Sequence, residues 1–313
     1  MTTSLAPDAF GRRLACGLLG FPLTDFDAAG ELAGQAFGDR VQWMAGQGAA
    51  ALFAAGGAGE FFSLTRDEYR AVMEIAVAAC AGTVPLLGAA GGPTRDAIAH
   101  AGIAEKAGAD GILLLPPYLA EASQAGLFAH VSEICRSTSL GVVLYGRANG
   151  RVSPETLRRL ADACPNLVAY KDGVGATEDL WGMRSALADR LAFLNGMPTA
   201  EVYAPAYHAM GVPTYSSAVY NFAPGAAMRF FHAVQGRDLA TVDAMMRAFF
   251  IPYGRLRARQ KGYAVSIVKA GVAIAGRDAG KVRPPLSDLT SEEMAELGVL
   301  LEALSAFEGD GHG

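Results

Sequence analysis

The chain has 313 residues, of which 51% are hydrophobic and 18% charged, so it can bury a sizeable core as one large domain or two small ones. Lys plus Arg number 26 against 31 Asp plus Glu, a net charge of −5 with no basic block, which argues against a nucleic-acid partner. No apolar run reaches the ~18 residues that a membrane helix needs, and the segment 1–10 lacks the basic start and apolar centre of a signal peptide, so the expectation is a cytoplasmic protein.

Short apolar runs at 14–19, 50–54, 84–88, 111–115, 141–145, 167–171, 191–194 and 212–216 predict strands. They recur every ~20–35 residues, the length of one strand-helix unit with its loops. Amphipathic segments lie between them. The segment 65–79 opens with a capping-box spacing, Thr65 and Glu68. The segment 94–107 has Thr94 as its expected N-cap, and 123–136 and 177–188 follow the same pattern. Ser153-Pro154 sets a cap before a proline at the first helical position, and Leu157, Leu160 and Ala161 then give a buried stripe.

After Asn221 the alternation stops. The segments 224–235, 239–257, 263–275 and 291–304 all read as helices, and Arg283-Pro284-Pro285 reads as a stiff turn before the last of them. The tail 309–313 reads as frayed. The fold class is therefore α/β: a (β/α)8 TIM barrel over 1–236, closed by 224–235, with a C-terminal all-helical extension over 237–313. An open doubly wound sheet is the alternative. It is disfavoured because no G-x-G-x-x-G follows the first strand.

Cys16, Cys80, Cys135 and Cys164 form no C-x-x-C pair and read as buried free thiols in a reducing compartment. The five histidines (His100, His130, His208, His232 and His312) have no ligand spacing, so no metal is expected.

In a barrel of this kind, chemistry sits at the C-terminal ends of the strands. The residue that stands out there is Lys171, at the end of the apolar run before Asp172-Gly173. An ammonium is expensive to desolvate. Either Lys171 ends an edge strand and snorkels to water, or it gives up its proton and serves as a nucleophile. Tyr145 ends the preceding strand, so both side chains can face one mouth. The pair suits imine formation, with the amine attacking a ketone while the phenol shuttles protons. An imine acidifies the adjacent carbon and permits aldol cleavage, elimination of water or loss of CO2, without an organic cofactor or metal. Glycine is dense at the other strand ends, including Gly57 and Gly59 around Ala58, and Gly196. Such loops let a backbone approach an anion closely, though any single glycine can equally serve a tight turn. By strand alternation Asp172 points away from Lys171 and reads as a loop ligand, and Glu60 reads as capping its own turn.

Five stretches in register carry a resemblance: Gly56 to Leu64 (GGAGEFFSL), Pro116-Pro117-Tyr118-Leu119, Tyr145-x-Arg147, Tyr170-Lys171-Asp172-Gly173, and Tyr215 to Phe222 (YSSAVYNF). Together they are similar to the dihydrodipicolinate synthase / N-acetylneuraminate lyase superfamily over about residues 14–304. Within it, the likeness is to the branch that dehydrates and decarboxylates 5-dehydro-4-deoxyglucarate. The resemblance implies the barrel with its helical extension and a homotetramer, with Lys171 as Schiff-base lysine and Tyr145 as proton relay. The implied substrate is a six-carbon keto-diacid, converted to 2,5-dioxopentanoate, CO2 and water. The carboxylate beside the ketone would then be held by the loop Gly57-Ala58-Gly59, with Gly196 among the substrate-binding residues. The far one would be held by Arg147, with Ser216 or Ser217 supplying a hydroxyl. Arg147 could equally bridge subunits, and alternation allows only one of the two serines to face the mouth. Tyr118 reads as a subunit contact.

The chain departs from the superfamily pattern at named positions. Ala58 stands where a threonine is usual, and Gly57 where many members have a second. Loss of one hydroxyl bond to a charged group would weaken binding by ~1.5–3 kcal/mol. Gly146 and Ala148 replace the expected Asn and Asp of the branch. Two further readings therefore stand beside the dehydratase: an aldolase acting on another 2-oxo acid, and a catalytically impaired keto-acid-binding paralogue.

Overall fold

The computed structural model describes residues 7–117 and 121–308. Eight parallel strands close in sequence order into a barrel: β1 (Leu19–Gly20), β2 (Ala51–Ala54), β3 (Leu86–Ala90), β4 (Gly111–Leu114), β5 (Gly141–Gly146), β6 (Leu167–Asp172), β7 (Ala192–Asn195) and β8 (Thr214–Ser217). Helix α1 (Pro7–Leu14) precedes the barrel. The outer ring is α2 (Gly34–Ala45), α3 (Arg66–Cys80), α4 (Thr94–Ala107), α5 (Gln124–Arg136), α6 (Pro154–Ala163), α7 (Thr177–Leu187), α8 (Ala200–Ala209) and α9 (Pro224–Gln235). Four helices follow: α10 (Leu239–Met245), α11 (Ile251–Arg257), α12 (Tyr263–Ile274) and α13 (Ser291–Ser305). No helix among the described residues is long and apolar enough to cross a membrane.

The expected (β/α)8 barrel is present, and several local expectations are corrected. The run 14–19 is not a strand over its length, because Leu14 still belongs to α1 and only Leu19–Gly20 pair with β2 and β8. Helix α1 packs under the barrel, where Phe10 fills the floor. A Cβ on Gly111 or Gly141 would lie 2.6 Å from its ring, so those two strands begin with glycine. Thr94 is the first residue of α4 rather than its cap, and its hydroxyl bonds His130 Nδ1 at 2.9 Å. Cys16 is exposed, unlike the other three thiols, because it follows α1 at the surface. The expected caps on α3 and α6 form as read, Thr65 with Glu68 and Ser153 with Thr156, and the chain turns at Arg283, whose carbonyl accepts from Leu286 N. The expectations for Tyr118, for the first six residues and for the tail 309–313 lie outside the described residues.

Strand register sorts side chains between the barrel interior and the helix layer. A Cβ on Gly88 would meet Tyr69 and Met73 of α3, so the face that carries Gly88 is the outer one. Leu87 and Ala89 therefore point inward, and the pairing carries that face through Leu113, Val143, Tyr145, Lys171 and Leu194 to Thr214. Tyr145 and Lys171 are direct register partners on the inner face. Asp172 points outward as expected: it accepts from the amides of Val174 and Gly175 and from the Tyr207 hydroxyl (2.5 Å).

The C-terminal helices are tied to the barrel by a buried ion pair. Lys269 of α12 lies 3.1 Å from Glu60, with side chains 3% and 0% exposed, and also donates to the carbonyls of Ala279 and Lys281. Glu60 takes a left-handed conformation (φ 54°) and accepts from Arg283 N at 3.1 Å. It is thus more than a cap for its own turn, because it fastens the loop after β2 to the C-terminal segment.

Candidate active site

The C-terminal ends of the strands surround a cavity of about 500 Å³. Lys171 enters it from β6 and is 4% exposed. Its Nζ lies 4.1 Å from the centre of the Phe21 ring and 4.8 Å from that of Tyr145. No carboxylate pairs with it among the described residues. Burial pushes the amine down to about 7, and the Arg147 guanidinium adds to the effect. A lysine in this environment is substantially neutral near pH 7 and able to attack a carbonyl.

Tyr145 is held by two groups. Its hydroxyl donates to the Gly196 carbonyl at 2.8 Å and accepts from Arg147 Nη1 at 3.2 Å. Gly196 is the glycine on which the site depends. A Cβ there would lie 2.7 Å from both Cγ and Cε of Lys171 and 2.9 Å from Cε2 of Tyr145. Gly173 plays the same part on the other side, since its Cβ would lie 2.7 Å from the Tyr145 ring.

Of the other residues expected from sequence, Gly57, Ala58, Arg147, Ser216 and Ser217 all border this cavity. The amides of Gly57 and Ala58 donate to no protein acceptor among the described residues, so two N–H groups are available to an anion. A Cβ at Gly57 would meet nothing within 4 Å. Gly59 does not border the cavity. A Cβ there would lie 3.0 Å from both Pro22 O and Ala55 Cα, and the Gly59 carbonyl accepts from Thr24. Its tight approach to the backbone, rather than an anion, explains this glycine. The two serines differ in face. Ser216 shares the inner face with Thr214 and Lys171, whereas Ser217 points to the helix layer and donates to Glu201 at 2.6 Å.

The departures at 146 and 148 also have structural counterparts. A Cβ on Gly146 would collide with the Tyr170 hydroxyl, which fills the space an asparagine would need. Ala148 sits in the left-handed region (φ 47°), which aspartate would occupy with less strain.

Sequence reasoning missed Phe21, Glu201, Tyr253 and Arg257, which also border the cavity. Phe21 lies in the loop after the two-residue β1, where no pattern marks it. Tyr253 and Arg257 come from α11, read from sequence as packing only. Glu201 is 2% exposed, and burial pushes its carboxyl up to about 7, partly offset by the Ser217 hydrogen bond. No cluster of three or more His, Cys, Asp or Glu able to hold a metal occurs among the described residues.

Residues 15–304 match the sequence profile of the Dihydrodipicolinate synthetase family. The chain is 55% identical over 300 residues to a probable 5-dehydro-4-deoxyglucarate dehydratase of Paracidovorax citrulli, covering 96% of this chain and 99% of that protein. It is 54% identical over 293 residues to a 5-dehydro-4-deoxyglucarate dehydratase of Pseudomonas putida, covering 94% and 97%. Among solved structures, dihydrodipicolinate synthase from Oceanobacillus iheyensis superposes with a TM-score of 0.88 at 22% identity, covering 96% and 99%. That last likeness concerns the fold.

Proposed function

We propose that this chain, which belongs to the dihydrodipicolinate synthetase family, is a hydro-lyase that converts 5-dehydro-4-deoxyglucarate to 2,5-dioxopentanoate, CO2 and water. Relatives at 54% and 55% identity over nearly the whole chain carry that dehydratase name. The observation that supports the chemistry is the buried amine of Lys171, lowered to about 7, beside the Tyr145 phenol.

The Lys171 amine attacks the substrate ketone, and Tyr145 relays the proton as the carbinolamine loses water to give an imine. The carboxylate beside the imine rests on the free amides of Gly57 and Ala58. Loss of a proton from the adjacent methylene gives an enamine. Its electrons expel the β-hydroxyl as water, leaving a conjugated iminium. The far carboxylate then departs as CO2, and its bonding pair flows through the conjugated system to nitrogen. Protonation of the chain, hydrolysis of the imine and tautomerisation of the enol release the dioxo acid and free Lys171. The net reaction consumes one proton and releases one water and one CO2.

The burial of the Lys171 amine, with Phe21 on the cavity wall, suits the first step, because desolvation leaves the amine substantially neutral near pH 7. The buried thiols Cys80, Cys135 and Cys164 fit a reducing, cytoplasmic setting. The assembly in this reading is a homotetramer, to whose contacts the exposed side chains of Trp181, Leu239 and Val299 are available.

Borohydride added during turnover should fix the substrate to Lys171 as a secondary amine. Product analysis should find CO2 with 2,5-dioxopentanoate. Unmodified Lys171 under these conditions overturns the imine, and released pyruvate would mean carbon–carbon cleavage instead.

A further inference from the structure

Several arginines that serve the fold of this protein each hold two or more acceptors. Arg40 makes two bonds to Asp25 and a third to the Arg277 carbonyl. Arg190 caps the carbonyls of Leu167, Cys164 and Pro165. Arg283 bonds Gly30, Ser63 and Glu68. Arg257 differs. It is half-buried, borders the cavity that holds Lys171, and makes no hydrogen bond or ion pair among the described residues.

One turn earlier on the same helix face stands Tyr253. It is 1% exposed, borders the same cavity, and its hydroxyl has no partner. A buried phenol without an acceptor is unfavourable unless something outside the protein supplies one. Burial lowers the Arg257 guanidinium from its ordinary value. The Tyr253 phenol opposes this shift, and Arg147 reinforces it. Two guanidinium groups thus lie within electrostatic reach of each other with no carboxylate paired to either. The buried carboxyl that shares the cavity, Glu201, is engaged by Ser217.

The helix is built to aim this pair. A π-turn at Met246–Phe250 separates α10 from α11, and Pro252 follows at once. The proline has no N–H for a regular helical bond. A π-turn carries one extra residue, which rotates the rest of the helix by about 100°. That rotation decides which face of α11 meets the barrel mouth.

We propose that Arg257 and Tyr253 form the subsite for the far carboxylate of the keto-diacid, so that the C-terminal helices make the site selective for diacids. The subsite lies apart from the Gly57 and Ala58 amides that receive the near carboxylate. The proposal rests on the reading of Lys171 as the imine-forming residue, and it extends the part assigned to Arg147. Arg257 binds the anion and takes no part in moving protons.

The test uses two six-carbon 2-oxo acids that differ at the far end, 2-oxoadipate and 2-oxohexanoate. Each is trapped on Lys171 with borohydride, and adduct formation is followed by mass as a function of acid concentration. The wild-type protein should half-saturate with 2-oxoadipate at a concentration about 30-fold or more below that for 2-oxohexanoate. Arg257→Gln should abolish most of that gap while leaving the 2-oxohexanoate value within about twofold. Tyr253→Phe removes a single hydroxyl and keeps the ring, so it should narrow the gap several-fold even if the arginine variant folds poorly. A gap that persists in both variants overturns the proposal. So does an equal loss for both acids, because that means a general disturbance of the site. If the wild-type protein traps neither acid, the imine reading fails first, and the subsite falls with it.

Discussion

Replacing Gly196 with alanine should disable the enzyme while adding one methyl group. The new Cβ would lie 2.7 Å from Cγ and Cε of Lys171 and 2.9 Å from the Tyr145 ring. Ordinary carbon contact needs ~3.5 Å, so the lysine chain must move by about 0.8 Å. It has little room, because its Nζ is set against the rings of Phe21 and Tyr145. The Gly196 carbonyl also accepts the Tyr145 hydroxyl at 2.8 Å, so a backbone shift would displace that hydroxyl instead. A misplacement near 1 Å lowers the rate by about 100-fold, and overpacking of a tight site destabilises by about 1–3 kcal/mol. The variant should therefore melt a few degrees lower, lose about 100-fold in kcat and trap substrate on Lys171 more slowly. Gly102→Ala on α4 is the matched control, since its Cβ meets nothing within 4 Å and it lies away from the cavity. Wild-type kcat in Gly196→Ala, with an unchanged trapping rate, would refute the assignment of this glycine.

Three further outcomes follow from the geometry. First, kcat/KM should rise about tenfold per pH unit up to about pH 7 and then level, because Lys171 is lowered to about 7 and only the free amine attacks; a flat profile from pH 5 to 8 would contradict this. The same shift acts on stability with a definite sign: the folded value lies below the unfolded one, so Lys171 opposes folding most strongly below pH 7. That penalty shrinks as pH rises toward the ordinary lysine value, so the melting-temperature advantage of Lys171→Met should be greatest at pH 6 and fade above pH 7. Second, Glu60→Gln leaves Lys269 buried without its counter-charge and should destabilise by about 3 kcal/mol, read by denaturant unfolding, with Glu60→Gln/Lys269→Met recovering part of the loss. Third, Gly146→Ala forces Tyr170 aside and should destabilise by about 1–3 kcal/mol, a loss that Tyr170→Leu should relieve.

Much of this protein is legible in its sequence because its signals are local. Strand-forming runs at regular spacing, Thr65 with Glu68, and Ser153 before Pro154 specify elements through contacts within a few residues. The count of strand-helix units then implies a barrel, and the barrel places Lys171 and Tyr145 at one mouth because adjacent parallel strands in register share their inner face. What the sequence could not carry depends on groups far apart in the chain. The choice between Ser216 and Ser217 waits on β8 being in register with β7 and on Glu201 lying behind it. Glu60 reads as a turn residue until α12 brings Lys269 across 209 positions to meet it. Arg257 reads as one more surface charge in a helical tail, and only the folded chain shows it half-buried at the cavity without an acceptor. The low proton affinity of Lys171 belongs to this second class. The sequence shows a lysine after an apolar strand, but it takes burial in the folded cavity and the guanidinium of Arg147 to make the charged form unfavourable.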